Sequence, residues 1–158
     1  MTINEEQLLQ ARVAWGNGMI TISKAYDESG ITRARVIANR FLDNFYGFDL
    51  GLVLFKPTLS GGSQTFRPTK EGALSYFVGH DPKYPSDNGF GIQSWHEVKS
   101  ETCATFFDGD VAMWMGWVTL IGRDGNTVTV DKSWGYKKLK NGALKIILHH
   151  SSLPYNSG

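Results

Sequence analysis

Apolar positions recur at helical spacing through the first half of the chain and at alternate positions through the second. Leu8, Leu9, Val13, Ile20 and Ile22 give one apolar face to a predicted helix running from about Glu5 towards Asp27. Asn4 or Thr2 can cap it, Gly16 and Gly18 weaken its middle, and Glu28-Ser29-Gly30 ends it. Val36, Ile37, Phe41 and Phe45 mark a second helix, Arg33 to about Tyr46, with Thr32 as its expected cap. Leu50 to Lys56 reads as a short strand, followed by a Pro57–Ser63 loop. Thr69 caps a third helix, Lys70 to about Val78, which Gly79 stops. The segment from His80 to Gly91 has no periodicity and holds prolines, glycines and short polar residues. Its length marks it as a candidate lid or rim.

From there the period becomes two. Strands are predicted near Ile92–Phe107, Val111–Gly122, Thr127–Tyr136 and Ala143–Ser151. Asp108-Gly109-Asp110, Arg123-Asp124-Gly125-Asn126 and Lys140-Asn141-Gly142 are turn sequences between them, so the strands form an antiparallel meander. Helices first and a meander afterwards is an α+β layout in one domain, 1–158. Val111–Gly122 is apolar on both faces, with Met113, Met115 and Trp117 opposing Ala112, Trp114 and Val118. One face belongs on the helices, and the other needs a partner subunit or a curl of the sheet. Three helices on a strongly curved, mainly antiparallel sheet resemble the cone-shaped nuclear-transport-factor-2-like fold. That fold encloses a cavity and often dimerises through its outer face.

Charge and composition remove several function classes. Sixteen basic against fifteen acidic residues leave +1, which argues against a nucleic-acid or anionic-membrane partner. No apolar run reaches the ~20 residues that span a bilayer. The opening Thr2-Ile3-Asn4-Glu5-Glu6 lacks a signal peptide's basic start and apolar middle, which predicts a soluble chain. The single cysteine, Cys103, excludes an internal disulfide and reads as a buried structural thiol.

The candidate chemistry lies at the end of the last strand, Leu148-His149-His150-Ser151-Ser152-Leu153. Alternation puts Lys145, Ile147, His149 and Ser151 on one face and Leu144, Ile146, His150 and Ser152 on the other. His149 and Ser151 can therefore act together, and His150 cannot join them without a bulge. A catalytic zinc site needs three converging ligands, commonly with a close pair on one face. His80, His96, His149 and His150 offer no such pair, so no metal and no cofactor are expected. Nucleophilic catalysis is equally unsupported, because no nucleophile elbow surrounds Ser151. Proton abstraction of the ketosteroid-isomerase kind would rest on Asp131, inside a predicted strand, because Asp108, Asp110 and Asp124 are better explained as turn residues. Lys56 and Arg67 read as solvated.

The ending His149-His150-Ser151-Ser152-Leu153-Pro154 resembles the His-His-Ser-Ser signature of the iota-class carbonic anhydrases. Phe55-Lys56-Pro57-Thr58-Leu59-Ser60-Gly61-Gly62, Ala73-Leu74-Ser75-Tyr76-Phe77 and Asp131-Lys132-Ser133-Trp134-Gly135-Tyr136 are similar to the cyanobacterial and algal branch. The likeness spans roughly Arg33 to Tyr155. It implies the cone fold, a homodimer, and reversible hydration of carbon dioxide to bicarbonate without a metal. It also implies a bicarbonate site of Thr58, Tyr76, His149 and Ser151. Carbon dioxide is apolar and should settle against aromatic walls, Phe77, Phe106 and Trp117. His149, with a free pKa of ~6.5, is the titrating group of the four suited to accept the proton near neutral pH. The cell compartment stays open: cyanobacterial cytoplasm or periplasm, or an algal plastid after loss of a leader. The rival reading is a non-catalytic oligomerisation module of the kinase-association type, which shares the fold.

Overall fold

The computed structural model describes residues 2–158. Two long helices come first, α1 (Glu5–Ser29) and α2 (Ile31–Phe45), then the short β1 (Leu54–Lys56) and α3 (Lys70–Val78). Four long strands complete the chain: β2 (Trp95–Asp108), β3 (Val111–Gly122), β4 (Thr127–Lys138) and β5 (Leu144–Ser152).

The amide of Gln7 donates to Asn4 Oδ1 and the Asn4 amide donates to Gln7 Oε1, a reciprocal capping box that starts α1. Gly16 and Gly18 do not interrupt this helix, because both sites are needed for close packing. A Cβ at Gly16 would sit 3.0 Å from Val98 Cβ, and one at Gly18 would sit 2.6 Å from the Phe41 ring. The second helix begins earlier than its sequence suggests. Gly30, at φ 82°, turns the chain from α1 straight into α2, and Thr32 lies inside the helix rather than capping it. Thr69 does cap α3, with its hydroxyl accepting from the Gly72 amide.

The sheet order is β1-β5-β4-β3-β2. Strands β2 to β5 form the expected antiparallel meander, and β1 adds to its edge parallel to β5. This parallel edge brings the end of β1, and so Thr58, beside the end of β5. The inner face of the sheet packs on the helices through Trp114, Val118, Val130, Trp134, Tyr136 and Ile146, all buried. The strand β5 carries one irregularity. Tyr136 pairs with Ile146 and the next residue, Gly135, pairs with Leu148. This bulge inverts the alternation at Ile147, so Ile146 rather than Ile147 shares the inner face with His149 and Ser151.

Several sequence expectations change here. Cys103 is exposed, because it sits at the register shift between Thr102 and Ala104 in the edge strand β2. Arg67 is buried rather than solvated. It donates to both carboxylate oxygens of Asp87 at 2.8 Å, and Ser75 Oγ adds a third bond to Asp87 at 2.6 Å. The His80–Gly91 segment is thereby pinned to α3.

Candidate active site

Four elements converge at the inner end of β5. The strand supplies His149 and Ser151, with side chains 1% and 0% exposed. The neighbouring β4 supplies Lys132, 3% exposed and paired in register with Ser151. Thr58 follows β1, and Tyr46 closes the C-terminus of α2.

The polar atoms form one chain. Trp15 Nε1 donates to the Tyr46 hydroxyl at 3.1 Å, and that hydroxyl lies 2.8 Å from His149 Nδ1. His149 Nε2 is 2.9 Å from Lys132 Nζ, which also donates to Ser151 Oγ at 3.1 Å. Ser151 Oγ and Thr58 Oγ1 are 2.6 Å apart. Thr58 also lies beside the Tyr76 phenol, which accepts from the Leu59 amide at 3.1 Å. Lys56 closes the group by donating to the Ser151 carbonyl at 2.7 Å.

Around this chain the walls are aromatic. His149 stacks on Phe55 with ring centroids 4.6 Å apart, and Trp134, Tyr46 and Trp15 enclose its remaining sides. Such a setting penalises charge. Burial, then the charges of Lys132 and His150, hold His149 well below its ordinary pKa of 6.5, so its imidazole is neutral. Burial moves Lys132 from 10.5 down to about 7, with Asp131 opposing and Lys56 reinforcing the shift. Burial lifts the Tyr76 phenol to about 12, which keeps it protonated and able to donate.

The site opens at Tyr76 into a cavity of about 610 Å³, lined in part by Leu59, Asp87, Phe90, Trp95 and Val128. Residues Ser86 to Phe90 form part of its wall, so the long loop is a rim.

Thr58, Tyr76, His149 and Ser151 therefore come together. Phe77 is buried and stacks on Phe55. Phe106 and Trp117 do not line the site. They lie on the outer face, 66% and 42% exposed, because their register partners Met113 and Asp131 face outwards with them. Asp131 pairs with Trp117 and Ser152 and so faces away from the cavity, which removes the ketosteroid-isomerase reading. His150 is exposed.

Lys132, Tyr46 and Trp15 are the participants that sequence reasoning missed. The alternation Val130, Lys132, Trp134, Tyr136 was a usable signal for Lys132, since its three companions are large and apolar. Among the described residues, no three His, Cys, Asp or Glu side chains are grouped so as to hold a metal ion. Both nitrogens of His149 are already engaged by Tyr46 and Lys132.

The fold is the nuclear-transport-factor-2-like cone. A putative dehydratase of that family from Streptomyces avermitilis superposes with a TM-score of 0.57 at 13% identity, over 96% of each chain. A putative calcium/calmodulin-dependent protein kinase II association domain from Xanthomonas campestris gives 0.59 at 20%, over 96% of this chain and 89% of that one. Both likenesses concern the fold alone. Within that fold, residues 6–153 match the metal-independent carbonic anhydrase family, and the chain belongs to it. A metal-independent carbonic anhydrase of Nostoc sp. is 45% identical over 153 residues, 97% of this chain and 75% of that protein. The crystal structure of a cyanobacterial iota-carbonic anhydrase complexed with bicarbonate superposes with a TM-score of 0.97 at 44% identity. It covers 99% of this chain and 95% of that one.

Proposed function

We propose that this site hydrates carbon dioxide reversibly to bicarbonate, with hydroxyl groups in the place a metal would otherwise take. The observation that carries the reading is the Ser151–Thr58 hydroxyl pair, which lies between a buried basic pair and the Tyr76 phenol in the cavity wall. Carbon dioxide is apolar and enters along Phe90, Trp95 and Val128. Water held by Thr58 and Ser151 attacks its carbon. As charge develops on the carbon dioxide oxygens, the Tyr76 phenol, held in place by the Leu59 amide, stabilises it. His149 does not accept the proton near neutral pH in this reading. Its neutral ring aligns Lys132 against Ser151, and the proton leaves the water through the hydroxyl pair. Stopped-flow hydration assays test the assignment: Ser151→Ala and Thr58→Val should each lower kcat/KM strongly, and unchanged rates in both would reject it.

The outer sheet face carries Phe106, Met113, Met115 and Trp117, all exposed, beside Lys99 and Glu101. A second copy of the chain is the occupant that suits this band, since twofold pairing buries the apolar strip and matches the two opposite charges. Met115→Glu should convert a dimer to a monomer in light scattering, and an unchanged mass would reject this interface.

A further inference from the structure

The partners of His149 can be counted, and the count locates the hydrogens. An indole N–H only donates, so the Tyr46 oxygen accepts from Trp15. The single hydrogen of the Tyr46 hydroxyl then has one acceptor in reach, His149 Nδ1. A neutral ring accepting at Nδ1 carries its own hydrogen on Nε2. That hydrogen faces Lys132 Nζ at 2.9 Å, and only a neutral amine has the lone pair to receive it. An ammonium at Lys132 reverses the pattern. His149 must then carry its hydrogen on Nδ1, Tyr46 faces two donors, and the phenolic hydrogen is left buried without an acceptor. The resting chain is satisfied only with Lys132 as a free amine.

We propose that Lys132 takes up the proton released when water adds to carbon dioxide, receiving it through the Ser151 hydroxyl. The proposal rests on the hydration reading above and extends it. The water oxygen forms the new bond to carbon while its proton passes to Ser151 Oγ. The amine turns about its Cε–Nζ bond so that its lone pair swings from His149 Nε2 to Ser151 Oγ, and Ser151 passes its own proton to it, giving bicarbonate beside an ammonium. The proton returns to solvent when bicarbonate leaves.

The surroundings suit a base that is charged only briefly. His149 and Ser151 meet the amine from β5, and Tyr46 stands behind His149 at the end of α2. The charged neighbours that act on it are Lys56 of β1 and Asp131, which projects from the opposite face of β4. Among the described residues no carboxylate forms an ion pair with Lys132, so nothing holds it permanently protonated. The rings of Trp15 and Trp134, at 5.2 and 5.6 Å, ease the transient cation. Burial, which brings the amine to about 7, matches it to proton transfer near neutrality.

The test combines nuclear magnetic resonance of the protein labelled with ¹³C at the lysine Cε atoms with stopped-flow hydration. The Lys132 resonance, assigned by its loss in Lys132→Met, should titrate near neutral pH, and the acid limb of wild-type kcat should follow the same midpoint. Tyr46→Phe deletes the orphaned hydrogen and so should raise that midpoint. Lys132→Arg keeps a cation that cannot give up its proton, and should lose about 100-fold or more in kcat, as Lys132→Met does. A midpoint at the ordinary lysine value of ~10 in an active wild type overturns the role of Lys132 alone. Activity retained in Lys132→Arg does the same. A wild type without hydration overturns the underlying reading as well, whatever the midpoint.

Discussion

Thr58 and Ser151 place their hydroxyl oxygens 2.6 Å apart although 93 residues separate them in the chain. The parallel pairing of β1 with β5 makes this possible, with Phe55 opposite His149 and Lys56 opposite His150. A hydroxyl pair this close holds one hydrogen between its oxygens and leaves the other free for water or bicarbonate. Removing either hydroxyl breaks the relay and also deletes a donor to the developing charge. Ser151→Ala and Thr58→Val should each cost about 10²-fold in kcat/KM. The double variant should cost little more than either single one, because the two act as a unit. Stopped-flow hydration of the three variants checks this, and fully multiplicative losses would count against a shared relay.

Lys132 links function to stability. Its pKa falls from 10.5 when unfolded to about 7 when folded. As pH drops through that window the unfolded chain binds a proton that the folded chain refuses. Stability from this group is therefore fully present above about 10.5, is lost on the way down to about 7, and stays constant below. The loss is on the order of 5 kcal/mol. Lys132→Met lacks the group, so the stability of wild type relative to this variant should rise steadily from pH 7 to pH 9.5. Paired denaturant titrations measure the difference, and a flat one would contradict the folded-state value. His149, held below 6.5, extends the same trend to acid in the wild type.

The Arg67–Asp87 pair has no proposed chemistry, yet it fixes the cavity rim. Both side chains are buried, and the bond is bidentate. Asp87→Asn should destabilise the fold by roughly 3 kcal/mol, because it leaves the guanidinium uncompensated. Replacing both partners by apolar residues should cost less than the single change. A double variant as unstable as the single one would show that the hydrogen bonds, not the unpaired charge, dominate.

Parity alone grouped His149 with Ser151 and separated His150, because that part of β5 is regular. It misassigned Ile146 and Ile147, where the bulge adds a residue that periodicity cannot reveal. Thr58 and Tyr76 came only from the family likeness: their approach to Ser151 depends on a parallel edge pairing, a long-range relation with no local signature. Lys132 and Asp131 are adjacent charged residues in one strand, and choosing the inward one needs the register. The apolar company of Val130, Trp134 and Tyr136 pointed Lys132 inward. Phe106 and Trp117 were misplaced for the converse reason, since apolar character on both sheet faces hides which face is the core.

The central claim is that the hydroxyl–lysine–histidine chain hydrates carbon dioxide with no metal. The direct measurement is stopped-flow hydration by protein stripped with chelator, with elemental analysis of the same sample. The account predicts that kcat is unchanged at less than about 0.01 metal ion per chain and is not raised by added zinc or manganese. Activity that falls with the metal content and returns on adding zinc or manganese would contradict it.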